Sequence, residues 1–150
     1  MGTPPLRLDD FLPYRLSVAT NAVSQVIARA YEAAGLKTNE WRLVAVLAED
    51  GELTQQAIVR RTKLDKVSVS RAAQGLETRG LVRRTPDPAD ARSLRLSLTA
   101  AGRKLHERVA PAALSLLREL VTGMEPEEVR ALEKALRRIE SRAEELLESP

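Results

Sequence analysis

The sequence has no cysteine and a single histidine, His106, in 150 residues. Without thiols there is no disulfide, no thiolate metal ligand, no cysteine nucleophile and no cysteine redox switch. One imidazole leaves zinc sites and Ser-His or Cys-His catalysis without their parts. Phosphate-cradling glycine loops and metal-ligand spacings are missing as well. The expectation is therefore no catalytic residue, no cofactor, no metal and no enzyme. Aromatic residues make up 3%, and a core of Leu, Val and Ala with so few rings points to helices. No apolar run approaches the ~20 residues of a membrane span. The prolines in "MGTPPLRLDDFLPYRL" interrupt any signal-like apolar stretch. These absences predict a cytoplasmic protein without a membrane partner.

What is present is unevenly charged. Residues 1–52 carry 5 basic and 7 acidic side chains, residues 53–103 carry 11 and 4, and residues 104–150 carry 8 and 10. The middle third thus holds a net +7 on a chain whose total is only +3. That asymmetry points to a polyanionic partner, with nucleic acid the leading candidate.

Helical periodicity predicts a first helix over 8–34, capped by Asp9 or Asp10 and ended by Gly35. Its apolar stripe is Leu12, Leu16, Ala19, Val23, Val26, Ile27 and Ala30. A second helix over 39–49 follows, capped by Thr38 or Asn39 and stopped by Gly51. Thr54 opens a short helix over 54–61. After the turn "TKLDK" comes a helix over 66–79, closed by Gly80. Two short helices joined by a tight turn make a helix-turn-helix pattern. Strands over 81–85 and 93–98 form a hairpin with "PDPADAR" at its tip. A long helix over 99–122 is expected to kink or break at Pro111. A last helix spans 126–148. The predicted class is mostly α with a small β part (α+β).

At about 100° per residue, a helix over 66–79 that buries Val69, Ala72, Ala73 and Leu76 turns Val67, Arg71, Gln74 and Thr78 outward. Ser68, Ser70 and Gly75 flank that face, and Lys66 opens the helix. Arg suits guanine, Gln suits adenine and Val suits a thymine methyl, all from the major groove. Ser and Thr bond bases or phosphates. No carboxylate occupies the outward face. Gly75 has two readings: it admits a close backbone approach to DNA, or it is simply tolerated. The hairpin then reads as a wing, with Arg83 and Arg84 on its first strand, Arg92 near its tip and Arg95 on its second strand. A tip arginine suits a narrow minor groove. Asp90 is expected to hold the loop, by pairing with Arg92 or by accepting backbone N–H groups.

Residues 53–102, "LTQQAIVRRTKLDKVSVSRAAQGLETRGLVRRTPDPADARSLRLSLTAAG", resemble the MarR family of bacterial winged helix-turn-helix transcription regulators. Leu-Thr-Gln opens the first motif helix and Asp-Lys-x-x-Val-Ser-Arg the second. The wing pattern is carried by Asp90, Arg92, Leu96, Leu98, Thr99 and Gly102. With its flanks the resemblance spans residues 8–147. One departure is Lys63, where the family often has glycine.

The resemblance implies one MarR-like domain over 1–150, with dimerisation helices at 8–34 and 99–148 around a winged lobe at 38–98. It implies a homodimer on a pseudopalindromic double-stranded operator, with half-sites about 34–36 Å apart or a multiple of it. The implied DNA-binding residues are Lys66, Val67, Ser68, Ser70, Arg71, Gln74, Arg84, Arg92 and Arg95, with Asp90 stabilising the wing. The implied action is repression released by a small aromatic or anionic effector. A constitutive or architectural DNA binder without an effector is the alternative. No effector site follows from the sequence. Tyr14 and Trp41 are ring candidates whose plainer roles are interface packing and lobe anchoring, and His106 is expected to be solvated or hydrogen-bonded.

Overall fold

Hydrophobic spacing along the chain produces six helices and three strands, in a computed structural model that describes residues 4–149. A 3₁₀ turn at Leu8–Asp10 leads into α1, Leu12–Glu32. Then follow α2 (Thr38–Asp50), β1 (Leu53–Thr54), α3 (Gln55–Thr62) and α4 (Lys66–Thr78). After them come β2 (Val82–Asp87), β3 (Asp90–Leu98), α5 (Ala100–Leu120) and α6 (Pro126–Glu148). The chain divides into two compact units, one ending at Leu116 and the other starting at Leu117.

The core of the first unit is built from the faces that periodicity predicts. Leu43 and Val44 of α2, Ile58 of α3, Val69, Ala73 and Leu76 of α4, and Leu96 of β3 are fully buried. Leu105 and Val109 of α5 join them. The sheet runs β1-β3-β2, all antiparallel. Leu53 pairs with Leu96, and Val82 with Leu98. Leu96 and Leu98 point inward, while Leu94 lies 40% exposed, farther out on the hairpin.

Several expectations need correction. Asp9 and Asp10 do not cap α1; they lie in the 3₁₀ turn, and Phe11 is the N-cap, without a side-chain bond. Pro13 falls in the first turn of α1, where a missing N–H costs nothing. Neither Thr38 nor Asn39 caps α2. Lys37 does, and the Glu40 carboxylate accepts its N–H at 2.9 Å. The strands reach further than the alternating leucines suggest, so that only Pro88 and Ala89 remain between them. Pro111 does not break α5, which continues through it to Leu120. Pro111 and Glu107, whose carbonyl loses its helical donor there, are both exposed residues.

The Lys63 departure has a structural meaning. It is the C-cap of α3, in the left-handed region at φ 58° and ψ 16°. A side chain there costs roughly 1–2 kcal/mol that glycine avoids, which is why glycine suits the position.

In the second unit α6 buries no residue, and Leu132, Ile139, Leu146 and Leu147 are exposed. Ala135, Ile139, Ala143 and Leu146 line an apolar groove along that helix. In the first unit, the α1 residues Leu12, Val18 and Val23 are also exposed.

Candidate nucleic-acid interface

The turn into α4 is set by one carboxylate. Asp65 is the N-cap, and its Oδ1 accepts the Ser68 N–H at 2.8 Å. Its Oδ2 accepts the Ser68 hydroxyl at 2.7 Å. The bond from the Ser68 N–H, then that from its hydroxyl, hold the Asp65 carboxyl below the usual carboxylate range. A lowered folded pKa stabilises the fold above the ordinary carboxylate pKa, and this contribution disappears as pH falls through the lowered value. Acid titration of the melting temperature between about pH 7 and pH 3 should therefore show a loss on the acid side. Asp65→Asn, which caps without a charge, should reduce that loss, and Asp65→Ala should lower the melting temperature across the whole range. An unchanged acid limb in Asp65→Asn would assign the loss to other carboxylates.

Along α4 the buried face is Val69, Ala72, Ala73 and Leu76. Val67, Ser70, Arg71, Gln74 and Thr78 are exposed, Val67 at 59%. Lys66 is exposed at the first position. Ser68 is half-buried and engaged with Asp65. The Thr78 hydroxyl donates to the Gln74 carbonyl at 2.9 Å. The outward face carries no carboxylate; Glu77 stands at its side.

The wing arginines separate by partner, which the sequence alone does not reveal. Arg84 is mostly buried, with Nε 2.9 Å from Glu77 Oε2, so it ties β2 to α4. Arg95 Nε donates to Asp87 Oδ1 at 3.0 Å. Asp87 Oδ1 also accepts the Ala89 N–H at 3.1 Å, so this well-buried carboxylate organises the hairpin tip. Asp90 Oδ1 accepts the Arg92 N–H at 3.0 Å, and no Asp90–Arg92 ion pair forms. Among the described residues, no ion pair holds Arg71, Arg83 or Arg92. Arg83 is an exposed cation on β2 that the candidate set omits. Its alternation with the buried Val82 was the signal that it faces out.

The wing is fastened at its base by the Thr-x-x-Gly run. The Thr99 hydroxyl donates to the Gly80 carbonyl at 2.6 Å, and its N–H to Leu81 O at 3.1 Å. Thr99 Oγ1 then accepts the Gly102 N–H at 3.1 Å, starting α5. The first helix of the pair starts the same way, with Thr54 Oγ1 accepting the Ala57 N–H at 3.1 Å.

Of the ring candidates, Tyr14 is exposed on α1. Trp41 is half-buried and stacks between Tyr31, at 6.1 Å, and His106, at 5.6 Å. His106 is thus a stacked wall residue rather than simply a solvated one. It also lines a cleft of about 350 Å³ with Leu47, Leu98, Arg83, Arg103 and Glu107. Among the described residues no cluster of His, Asp or Glu could hold a metal ion, and no helix is long and apolar enough to cross a membrane.

Comparison with known proteins agrees with this architecture. The model of the MarR family matches residues 34–93, from just after α1 into β3, the second strand of the wing. The uncharacterised HTH-type transcriptional regulator YdgJ of Bacillus subtilis is 28% identical over 118 residues, covering 78% of this chain and 72% of that protein. The MarR-family regulator Sco3205 of Streptomyces coelicolor, solved in complex with DNA, has a TM-score of 0.81 at 25% identity, covering 92% of this chain and 89% of that one. BpsR of Bordetella bronchiseptica shares the fold with a TM-score of 0.85 at 23% identity, covering 91% and 98%. Motif and topology agree with these likenesses: the stretch that carries the helix-turn-helix and most of the wing matches the MarR family model, and the relatives it resembles are transcriptional regulators.

Proposed function

We propose that this regulator is a homodimeric repressor that reads a pseudopalindromic operator and is released by a small aromatic or anionic effector. The observation that carries the DNA reading is the division of the arginines. Arg84 and Arg95 have partners inside the lobe, whereas Arg71 on α4 and Arg92 at the wing are held by none. An exposed, carboxylate-free helix face with a free arginine suits the major groove. A free arginine at a hairpin tip suits the minor groove. In this reading Val67, Ser70, Arg71 and Gln74 meet base edges, and Lys66 and Ser68 lie near phosphates. Arg84, Arg95 and Asp90 shape the wing that presents Arg92. Sco3205, which binds DNA, supports it.

The dimer is supported by apolar surface. Leu12, Val18 and Val23 of α1 and Leu132, Ile139 and Leu146 of α6 are exposed, more than isolated surface hydrophobics explain. A symmetric second copy is the economical cover. The effector is supported by the cleft beside His106, where Leu47 and Leu98 suit an apolar body and Arg83 and Arg103, balanced by Glu52 and Glu107, offer polar contacts. DNA binding by BpsR is regulated by 6-hydroxynicotinic acid.

The test is fluorescence anisotropy with DNA flanking the protein's own gene, against unrelated competitor DNA, at two salt concentrations. Specific binding that weakens steeply with salt is expected. Arg92→Ala should weaken binding to all sequences alike and lower the salt slope by roughly 1 per wing. An unchanged slope would remove Arg92 from the interface. Titration with small aromatic acids should release the DNA. Release by none of them would favour the constitutive binder.

A further inference from the structure

Gly75 sits inside α4, where glycine weakens a helix relative to alanine. The structure supplies a reason for it. A Cβ built on Gly75 would lie 2.6 Å from Glu40 Oε1. Glu40, in the first turn of α2, is 8% exposed. Its Oε2 accepts the Lys37 N–H at 2.9 Å, closing that turn. The same oxygen lies 3.9 Å from Arg79 Nη1. Arg79 directly follows α4. Its Nη1 donates to Gly35 O at 2.9 Å and its Nη2 to Ala34 O at 3.2 Å. The α4 helix is therefore held to the corner between α1 and α2 at two levels, one turn apart. A carboxylate fits the notch at Gly75, and a guanidinium bridges the corner at Arg79.

We propose that Glu40, Gly75 and Arg79 are positioning residues that set the seat of α4 and so aim Arg71 and Gln74 at their bases. The proposal rests on the DNA reading above. Groups that read bases through bidentate bonds tolerate displacement of only about 0.5 Å. A methyl at residue 75 has to displace the Glu40 carboxylate, whose Oε2 is held by the Lys37 N–H and faces Arg79, or to lift α4 from its seat on α2. Buried charge at such a point specifies geometry rather than adding stability. The Glu40 charge is compensated by Arg79 and by an N–H, so it does not repel DNA nearby.

The experiment compares full-length Gly75→Ala, Glu40→Asp, the double variant and Arg79→Gln. It measures the ratio of operator affinity to random-DNA affinity, with melting temperature alongside. Gly75→Ala should lower the ratio by roughly tenfold, as expected when bidentate contacts are weakened rather than lost, and should lower the melting temperature despite alanine's better helix propensity. The double variant should regain most of both, since the shorter Asp withdraws from the new methyl. Arg79→Gln introduces no clash and should lower the ratio while random-DNA affinity holds, which keeps the proposal testable if Gly75→Ala does not fold. A simple loss of folded protein would weaken both affinities together. The proposal is overturned if Gly75→Ala matches the wild type, if the double variant is no better than it, or if Arg79→Gln preserves the ratio. A wild-type protein that prefers no DNA would sink the DNA reading itself, and this one with it.

Discussion

Gly102→Ala is expected to unfold the junction between wing and α5, although it places alanine in a helix. The added Cβ would fall on the Leu81 carbonyl oxygen, 3.1 Å from its carbon and 3.2 Å from Leu98 Cδ2. Helix propensity favours alanine by about 0.8–1 kcal/mol. Overpacking of this kind typically costs about 1–3 kcal/mol and more when backbone must move. The obstacle here is backbone, and it is pinned, because Leu81 O already accepts the Thr99 N–H at 3.1 Å. Moving Leu81 would also disturb the adjacent Thr99–Gly80 bond. The steric effect therefore outweighs propensity, and the net loss is set at about 2 kcal/mol or more. Denaturant unfolding of Gly102→Ala beside Ala101→Gly would measure it. Ala101 is exposed in the same helix, so its change reports propensity alone. A Gly102→Ala protein as stable as the wild type would mean that the two backbones are not in close contact.

The run "SLTAAG" thus shows how much of this protein the sequence states openly. Its Thr and Gly are readable as a helix start, and the structure adds what they fasten. The helices α2, α3, α4 and α6 end within a residue or two of where caps, glycines and apolar spacing place them, because those signals are local. The two-residue β1 has no periodicity to read and exists only through pairing with Leu96 and Arg95. The wing runs past its alternating leucines because Pro86 and Asp87 pair across it, with an irregular register between them. In the candidate interface the exposed face of α4 was legible for the same local reason. The partners of Arg84 and Arg95 were not, since Glu77 and Asp87 are brought to them by the fold. Gly75 is the sharpest case. Its counterpart, Glu40, lies 35 residues earlier in the chain, and nothing in the spacing joins them.

Arg71→Ala is expected to be the most damaging single change to operator binding. Arg71 lies on the exposed face of α4, without an ion pair to break, so its removal should leave the fold intact. An arginine bidentate to guanine discriminates by about 1–3 kcal/mol. In a dimer the loss occurs in both half-sites, so about 2–6 kcal/mol of specific binding is at stake, or at least roughly 30-fold in affinity. Random DNA, held through phosphates, should lose far less. The expected signature is therefore a collapse of the operator-to-random ratio at nearly constant melting temperature, whereas Arg92→Ala should weaken both DNAs alike. Arg71→Lys should not rescue it, because an ammonium cannot reproduce the planar two-bond fork. Competition anisotropy on the three variants would decide the matter. Equal losses on operator and random DNA for Arg71→Ala, or full rescue by lysine, would move Arg71 from a base edge to a phosphate.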